Sequence, residues 1–153
     1  MKVLVFLIGP DRYALRLQQV ARVLPAAALK SVPLAPDYVA GLLDLHGEPV
    51  PVIDLSRLAG IAAEQVWFDS RIILVDYKGA QDGATRQLGL LAEHVTGIDS
   101  IDEASLADSG IAAAPFLGQV AGTASGLMQL VELDQLLAAE VRALLFPAAG
   151  WRT

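Results

Sequence analysis

Residues 41–55 read Gly41-Leu42-Leu43-Asp44-Leu45-His46-Gly47-Glu48-Pro49-Val50-Pro51-Val52-Ile53-Asp54-Leu55. Two glycines stand six apart, prolines bracket a valine, and an apolar run closes on a carboxylate. Gly41 and Gly47 suit backbone positions that a Cβ would crowd, such as a tight turn or bulge. Pro49 and Pro51 lack an N–H, so they favour an edge strand or a strand start. Val50, Val52, Ile53 and Leu55 supply the β-branched and aliphatic side chains that suit a strand. The stretch therefore predicts a turn feeding a short, partly exposed strand, with Asp54 at its far side.

Working outward, 153 residues suit one domain, or two very small subdomains sharing a core. At 54% hydrophobic residues the material for that core is ample. A net charge of −6, with no basic run, argues against a nucleic-acid surface. The absence of cysteine excludes disulfides and thiolate metal sites, and it is consistent with a reducing cytosol. Met1 to Ile8 resembles the start of a signal peptide. Its apolar run stops after six residues at Gly9-Pro10-Asp11-Arg12, with no small-residue cleavage site behind it. No run reaches the ~18 apolar residues that span a bilayer. The expectation is a cytoplasmic protein.

Val3 to Ile8 is continuously apolar and ends in a turn signal, which predicts a strand buried on both faces. Tyr13, Leu15 and Leu17 alternate with Arg12, Arg16 and Gln18, the mark of a half-buried strand completing a hairpin. Pro25, Pro33 and Pro36 bar a long helix between them. Asp37 is placed to cap a single helical turn over Tyr38 to Leu43, and Ser56 to Gly60 reads as a short helix ended by Gly60. Ser70 to Tyr77 is a strong strand pattern, following Trp67 and Phe68. Lys78 to Thr85 is expected to be a mobile hairpin loop, and Gln87 to Ala92 the returning strand, continued by Val95 to Ile98. Asp99 to Ser109 reads as a solvated loop. Phe116 to Ala121 and Leu127 to Val131 make a last strand pair. Leu133, Leu136, Leu137, Val141, Leu144 and Leu145 recur at three- and four-residue spacing, which predicts a terminal helix ended by Pro147. Residues 147–153 read as a tail. Many short strands and one terminal helix indicate a mostly β protein of barrel or sandwich type.

Little in the sequence carries chemistry. Zinc needs three or four ligands, and only His46 and His94 are available to join carboxylates. Asp44, His46, Glu48 and Asp54 would form an acid–base cluster if they converged. Otherwise they are a polar edge beside a turn, which is the preferred reading. A small hydrolase or metal enzyme on those four residues is the alternative. No nucleophile elbow, phosphate-binding loop or dinucleotide fingerprint is present.

The same residues resemble the CheW-like chemotaxis coupling family over about Val3 to Leu145. Phe6-Leu7-Ile8-Gly9 through Arg12-Tyr13-Ala14-Leu15 to Val20 is similar to the family's opening hairpin. Val32 to Gly41 resembles the segment leading into its central motif, and Val50-Pro51-Val52-Ile53-Asp54-Leu55 contains its Pro-Val-Ile-Asp-Leu strand. Leu88-Gly89-Leu90-Leu91 with Val95, and Leu130 to Leu137, complete the series in the family's order.

The resemblance implies two SH3-like five-stranded β-barrels sharing a core, within a single domain over residues 1–146. It implies a scaffold without cofactors or catalytic residues, linking a chemoreceptor's cytoplasmic hairpin tip to a histidine kinase's regulatory domain, with no membrane insertion. It sets Val20, Gly41, Leu45, His46 and Gly47 near the receptor groove and Arg22 near the kinase. A β-barrel adaptor of an unrelated pathway is the other alternative. Two departures stand out. The family usually has Asn-Leu-Arg-Gly where this chain has Asp44-Leu45-His46-Gly47, and an aspartate is common where Glu132 stands. Arginine offers a permanent charge and a planar fork, which histidine does not match. These departures point to an accessory or divergent coupling protein, serving a chemosensory-like pathway other than swimming.

Overall fold

Short apolar runs cut by glycine and proline become strands, and the strands assemble into two sheets. The computed structural model describes residues 1–60, 70–78, 85–108, 118–123 and 126–146. Trp67, Phe68, Phe116, the loop residues 79–84 and the tail 147–153 lie outside the described residues.

The first sheet contains β1 (Lys2–Ile8) and β2 (Asp11–Arg16), then β8 (His94–Ser100), β9 (Leu106–Asp108), β10 (Gln119–Thr123) and β11 (Gly126–Leu130). Its order is β8-β1-β2-β11-β10-β9. The second sheet contains β3 (Val20–Pro25), β4 (Val39–Leu45), β5 (Glu48–Asp54), β6 (Arg71–Tyr77) and β7 (Arg86–Ala92), in the order β3-β6-β7-β5-β4. All pairings are antiparallel except β2 with β11 and β5 with β7. The three-residue β9 is an addition to the expected five strands.

Alternation along each strand divides the side chains between cores. On β1, Leu4, Phe6 and Ile8 face a core between the sheets, while Val3 and Val5 face the first barrel's own interior. On β6, Ile73, Val75 and Tyr77 take the shared core, and Ile72 and Leu74 the second barrel's interior. Period-two geometry makes this division possible, and it explains strands that are apolar throughout. Among the described residues the shared core holds twenty buried residues, against seven and six in the two interiors. Each buried Leu, Ile or Phe contributes about 1.5–3 kcal/mol, so the barrels stand mainly on each other.

Short backbone links extend both sheets, one continuing the β1–β8 ladder of the first and one tying edge strand β4 to the segment that follows edge strand β3 in the second. Ile101 N–H donates to the Met1 carbonyl at 2.9 Å, and a 3₁₀ turn at Glu103–Ser105 then leads into β9. In the second barrel, Lys30 N–H donates to Leu42 O at 2.9 Å, and Leu42 N–H returns a bond to Lys30 O at 2.7 Å.

Several expectations change. Tyr38 to Leu43 is no helical turn: Val39–Leu45 is β4, paired along its length with β5 and burying Leu43. Pro49 and Pro51 sit in a strand with neighbours on both sides, yet β7 pairs only Val52 to Asp54. The prolines fall before that second partner begins, so no ladder bond is lost there. β2 buries Tyr13, Ala14 and Leu15 alike, because its other face lines the first barrel rather than solvent. Val95 to Ile98 belongs to β8, in the opposite sheet from β7. Asp99 lies in β8 and Asp108 in β9, although both remain exposed, as do Asp102 and Glu103.

The terminal helix is also broken. Leu133–Gln135 is a 3₁₀ turn, Ala138 is extended, and α2 is only Ala139–Leu145. Leu133, Leu136, Leu137, Val141 and Leu145 all reach the shared core. The apolar spacing was therefore informative about burial, and packing overrode helix continuity. Phe146 stacks on Tyr77 with ring centroids 5.4 Å apart.

Candidate functional site

β4 and β5 meet at a two-residue turn, His46-Gly47, with Leu45 paired to Glu48. Both turn residues have positive φ, 53° and 87°. That is the type I′ geometry, whose twist matches the flanking strands. Histidine enters the left-handed region more readily than most residues bearing a Cβ. Asp44 Oδ1 accepts from Gly47 N–H at 2.8 Å and so holds the turn. His46, Gly47 and Glu48 are exposed, while Leu45 is half-buried against the second barrel's interior.

Gly41 is buried at the seam where β4 meets Leu29–Lys30. A Cβ there would lie 2.6 Å from Lys30 O and 2.8 Å from Leu29 Cβ, and φ is 148°. Only glycine lets the Leu29–Lys30 backbone approach β4 this closely.

Val20 opens β3, half-buried against the shared core, and a bulge separates it from the exposed Arg22. Val20 pairs with Val75, and Val75 with Leu88. The parallel register of β5 and β7, Val52 to Gly89, sets Leu88 level with Pro51, the middle of β5. Pro51 pairs with Leu42, so Val20 lies level with Leu42, next to Gly41, and three residues along β5 from Glu48 at the His46-Gly47 turn, with the rest of β3 running away from that turn.

The acid–base quartet does not converge. Asp54 closes β5 at the end opposite Glu48, six residues and thus about 20 Å away. It caps α1 (Leu55–Leu58), accepting from Ser56 N–H at 3.0 Å and Arg57 N–H at 3.3 Å. Among the described residues no group of three or more His, Asp or Glu is placed to hold a metal. His94 is exposed on β8.

Sequence reasoning overlooked Glu93. It stands between β7 and β8 and bonds to both barrels, with Oε1 accepting from Ser56 Oγ at 2.9 Å and Oε2 from Gly9 N–H at 3.2 Å. The available signal was a carboxylate set directly between two apolar strand patterns.

Two β sheets joined by a common core, with Asp44 holding a turn, Asp54 capping a helix and Glu93 bridging the two halves, define a β scaffold of the docking type. The family model for the CheW-like domain matches residues 2–141, and the chain belongs to that family. The chain is 23% identical over 138 residues to the chemotaxis protein CheW of Bacillus subtilis (strain 168), covering 89% of this chain and 86% of the relative. It is 24% identical over 145 residues to the chemotaxis protein CheW of Rhizobium meliloti (strain 1021), covering 92% and 90%. The crystal structure of scaffolding protein TtCheW from Thermoanaerobacter tengcongensis superposes with a TM-score of 0.81 at 26% identity, covering 92% of this chain and 94% of that one. The family couples receptors to the kinase CheA in chemotaxis. This chain is accordingly a non-enzymatic coupling adaptor of chemotaxis-type signalling. No helix among the described residues is long and apolar enough to cross a membrane.

Proposed function

We propose that the side of the second barrel carrying Val20, Leu45, His46 and Gly47 receives the cytoplasmic hairpin tip of a chemoreceptor. Gly41 shapes the seam behind that surface. Arg22, exposed beyond the bulge, faces the regulatory domain of a CheA-like histidine kinase. Residues 1–146 act as one two-barrel domain, and the protein works in the cytoplasm without inserting into the membrane. The observation supporting this reading is the register that sets the half-buried Val20, where β3 starts, level with Gly41 and Leu42 on the side of the second barrel toward the exposed His46-Gly47 turn. The net charge of −6 favours protein partners over nucleic acid.

A titration with a chemoreceptor hairpin fragment, and separately with the kinase regulatory domain, tests the assignment. Val20→Asp should weaken the receptor arm and spare the kinase arm, and Arg22→Glu should do the reverse. Equal effects on both arms, or none, would refute the division of surfaces.

A further inference from the structure

The chain passes from the first sheet to the second at Leu17–Gln19, and among the described residues it returns at Glu93. At that return a single carboxylate grips one element of each barrel. Oε2 takes the N–H of Gly9, in the β1–β2 turn of the first barrel, at 3.2 Å. Oε1 takes the hydroxyl of Ser56, on α1 of the second barrel, at 2.9 Å. Ser56 is 1% exposed, so without this acceptor its hydroxyl would lose a buried hydrogen bond.

The shared core alone does not fix the angle between the barrels, because apolar burial is non-directional. Hydrogen bonds to a charged acceptor are directional and stronger than neutral ones. We propose that Glu93 is a positioning residue whose strut sets the orientation of one barrel relative to the other. It thereby sets the geometry of the partner surface on the Val20 and His46 side. That last step rests on the receptor-surface reading above, whereas the strut itself does not.

The chain has no cysteine, so Ala107→Cys on β9 and Asp76→Cys on β6 give a clean spin-label pair, one on each barrel. Both positions are exposed. Glu93→Ala and Ser56→Ala should each shift and broaden the inter-barrel distance distribution, and the double variant should go no further than Glu93→Ala. Glu93→Gln should stay near the parent, since its carbonyl accepts from Gly9 and its amide donates to Ser56 Oγ.

A distribution unchanged in Glu93→Ala and Ser56→Ala, even with a lower Tm, would overturn the strut. So would an equal change in Arg12→Ala, whose bonds to Thr123 and Asp99 stay within the first barrel. If Glu93→Ala does not fold, Ser56→Ala decides the matter, because it removes one hydroxyl only. Titration with a chemoreceptor hairpin fragment tests the functional link. Binding lost in Glu93→Ala and kept in Glu93→Gln supports it, and broadened distances with unchanged binding overturn it. A parent that binds no fragment would instead refute the receptor-surface reading, with the distances still judging the strut.

Discussion

The carbonyl oxygen of Lys30 lies 2.6 Å from where Gly41 would carry a Cβ. That oxygen also accepts from Leu42 N–H in the bridge that ties β4 to the segment following β3. Any side chain at position 41 must push the seam open and also adopt a φ of 148°. The strained backbone and the overpacking together should make Gly41→Ala destabilising by about 3 kcal/mol. Denaturant unfolding should show a lower midpoint, and hydrogen exchange should locate the loss at Leu29–Lys30 and β4. A variant as stable as the parent would mean the seam is soft.

Position 46 separates turn stability from partner recognition. A type I′ turn favours Asn-Gly over His-Gly, so His46→Asn should raise stability by roughly a few tenths of a kcal/mol while presenting no cation. His46→Arg restores the family's usual residue and should tighten binding to a chemoreceptor hairpin fragment, through a permanent charge and a planar fork. Asp44→Ala removes the acceptor of Gly47 N–H and should cost about 0.5–1 kcal/mol at this exposed site. Thermal melts alongside fragment titrations check all three. If His46→Arg leaves affinity unchanged, the histidine is not the feature that sets this chain apart.

Which parts of the architecture were legible follows from what alternation can and cannot encode. Continuous apolarity at Val3 to Ile8 correctly signalled burial on both faces, because each face meets a different core. The same logic failed at β2, where Arg12 and Arg16 suggested solvent although Ala14 between them lines a barrel. Their guanidinium groups instead reach partners at opposite ends of that barrel, Thr123 for Arg12 and Glu132 for Arg16. The His46-Gly47 turn was legible as glycine beside a polar residue, and its paired positive φ values only in three dimensions. Glu93 was illegible because its partners lie 84 and 37 residues away in sequence.

Arg16 and Glu132 form the best-aligned ion pair among the described residues, at 3.1 and 3.3 Å. Their side chains are 24% and 23% exposed. Partial solvent access limits the net gain to about 0.5–1 kcal/mol. A double-mutant cycle with Arg16→Ala and Glu132→Ala should return a coupling of that size, reduced by added salt. The aspartate common in the family at position 132 is one methylene shorter, so Glu132→Asp should lose part of the coupling. A salt-independent coupling, or none, would show the pair to be incidental.

All three tyrosines resist ionisation, and this predicts how the fold fails in alkali. Burial raises the pKa of Tyr13, with the charge of Asp11 adding to it. Burial likewise raises Tyr38, reinforced by Glu140 and Asp37. Tyr77 is raised by burial and by Asp134, partly offset by the Arg142 charge. Above the unfolded value of about 10, the unfolded chain releases these protons first and binds fewer than the native chain. The slope of unfolding free energy with pH is then negative. Stability is fully present below about pH 10 and is lost as pH climbs towards the raised native values. Thermal midpoints should fall across that window while tyrosinate absorbance lags in the folded protein. Tyr77→Phe should flatten the fall more than Tyr38→Phe, because Tyr77 is fully buried and Tyr38 only half-buried. Tyrosines that ionise in the folded protein at their ordinary value would defeat this account.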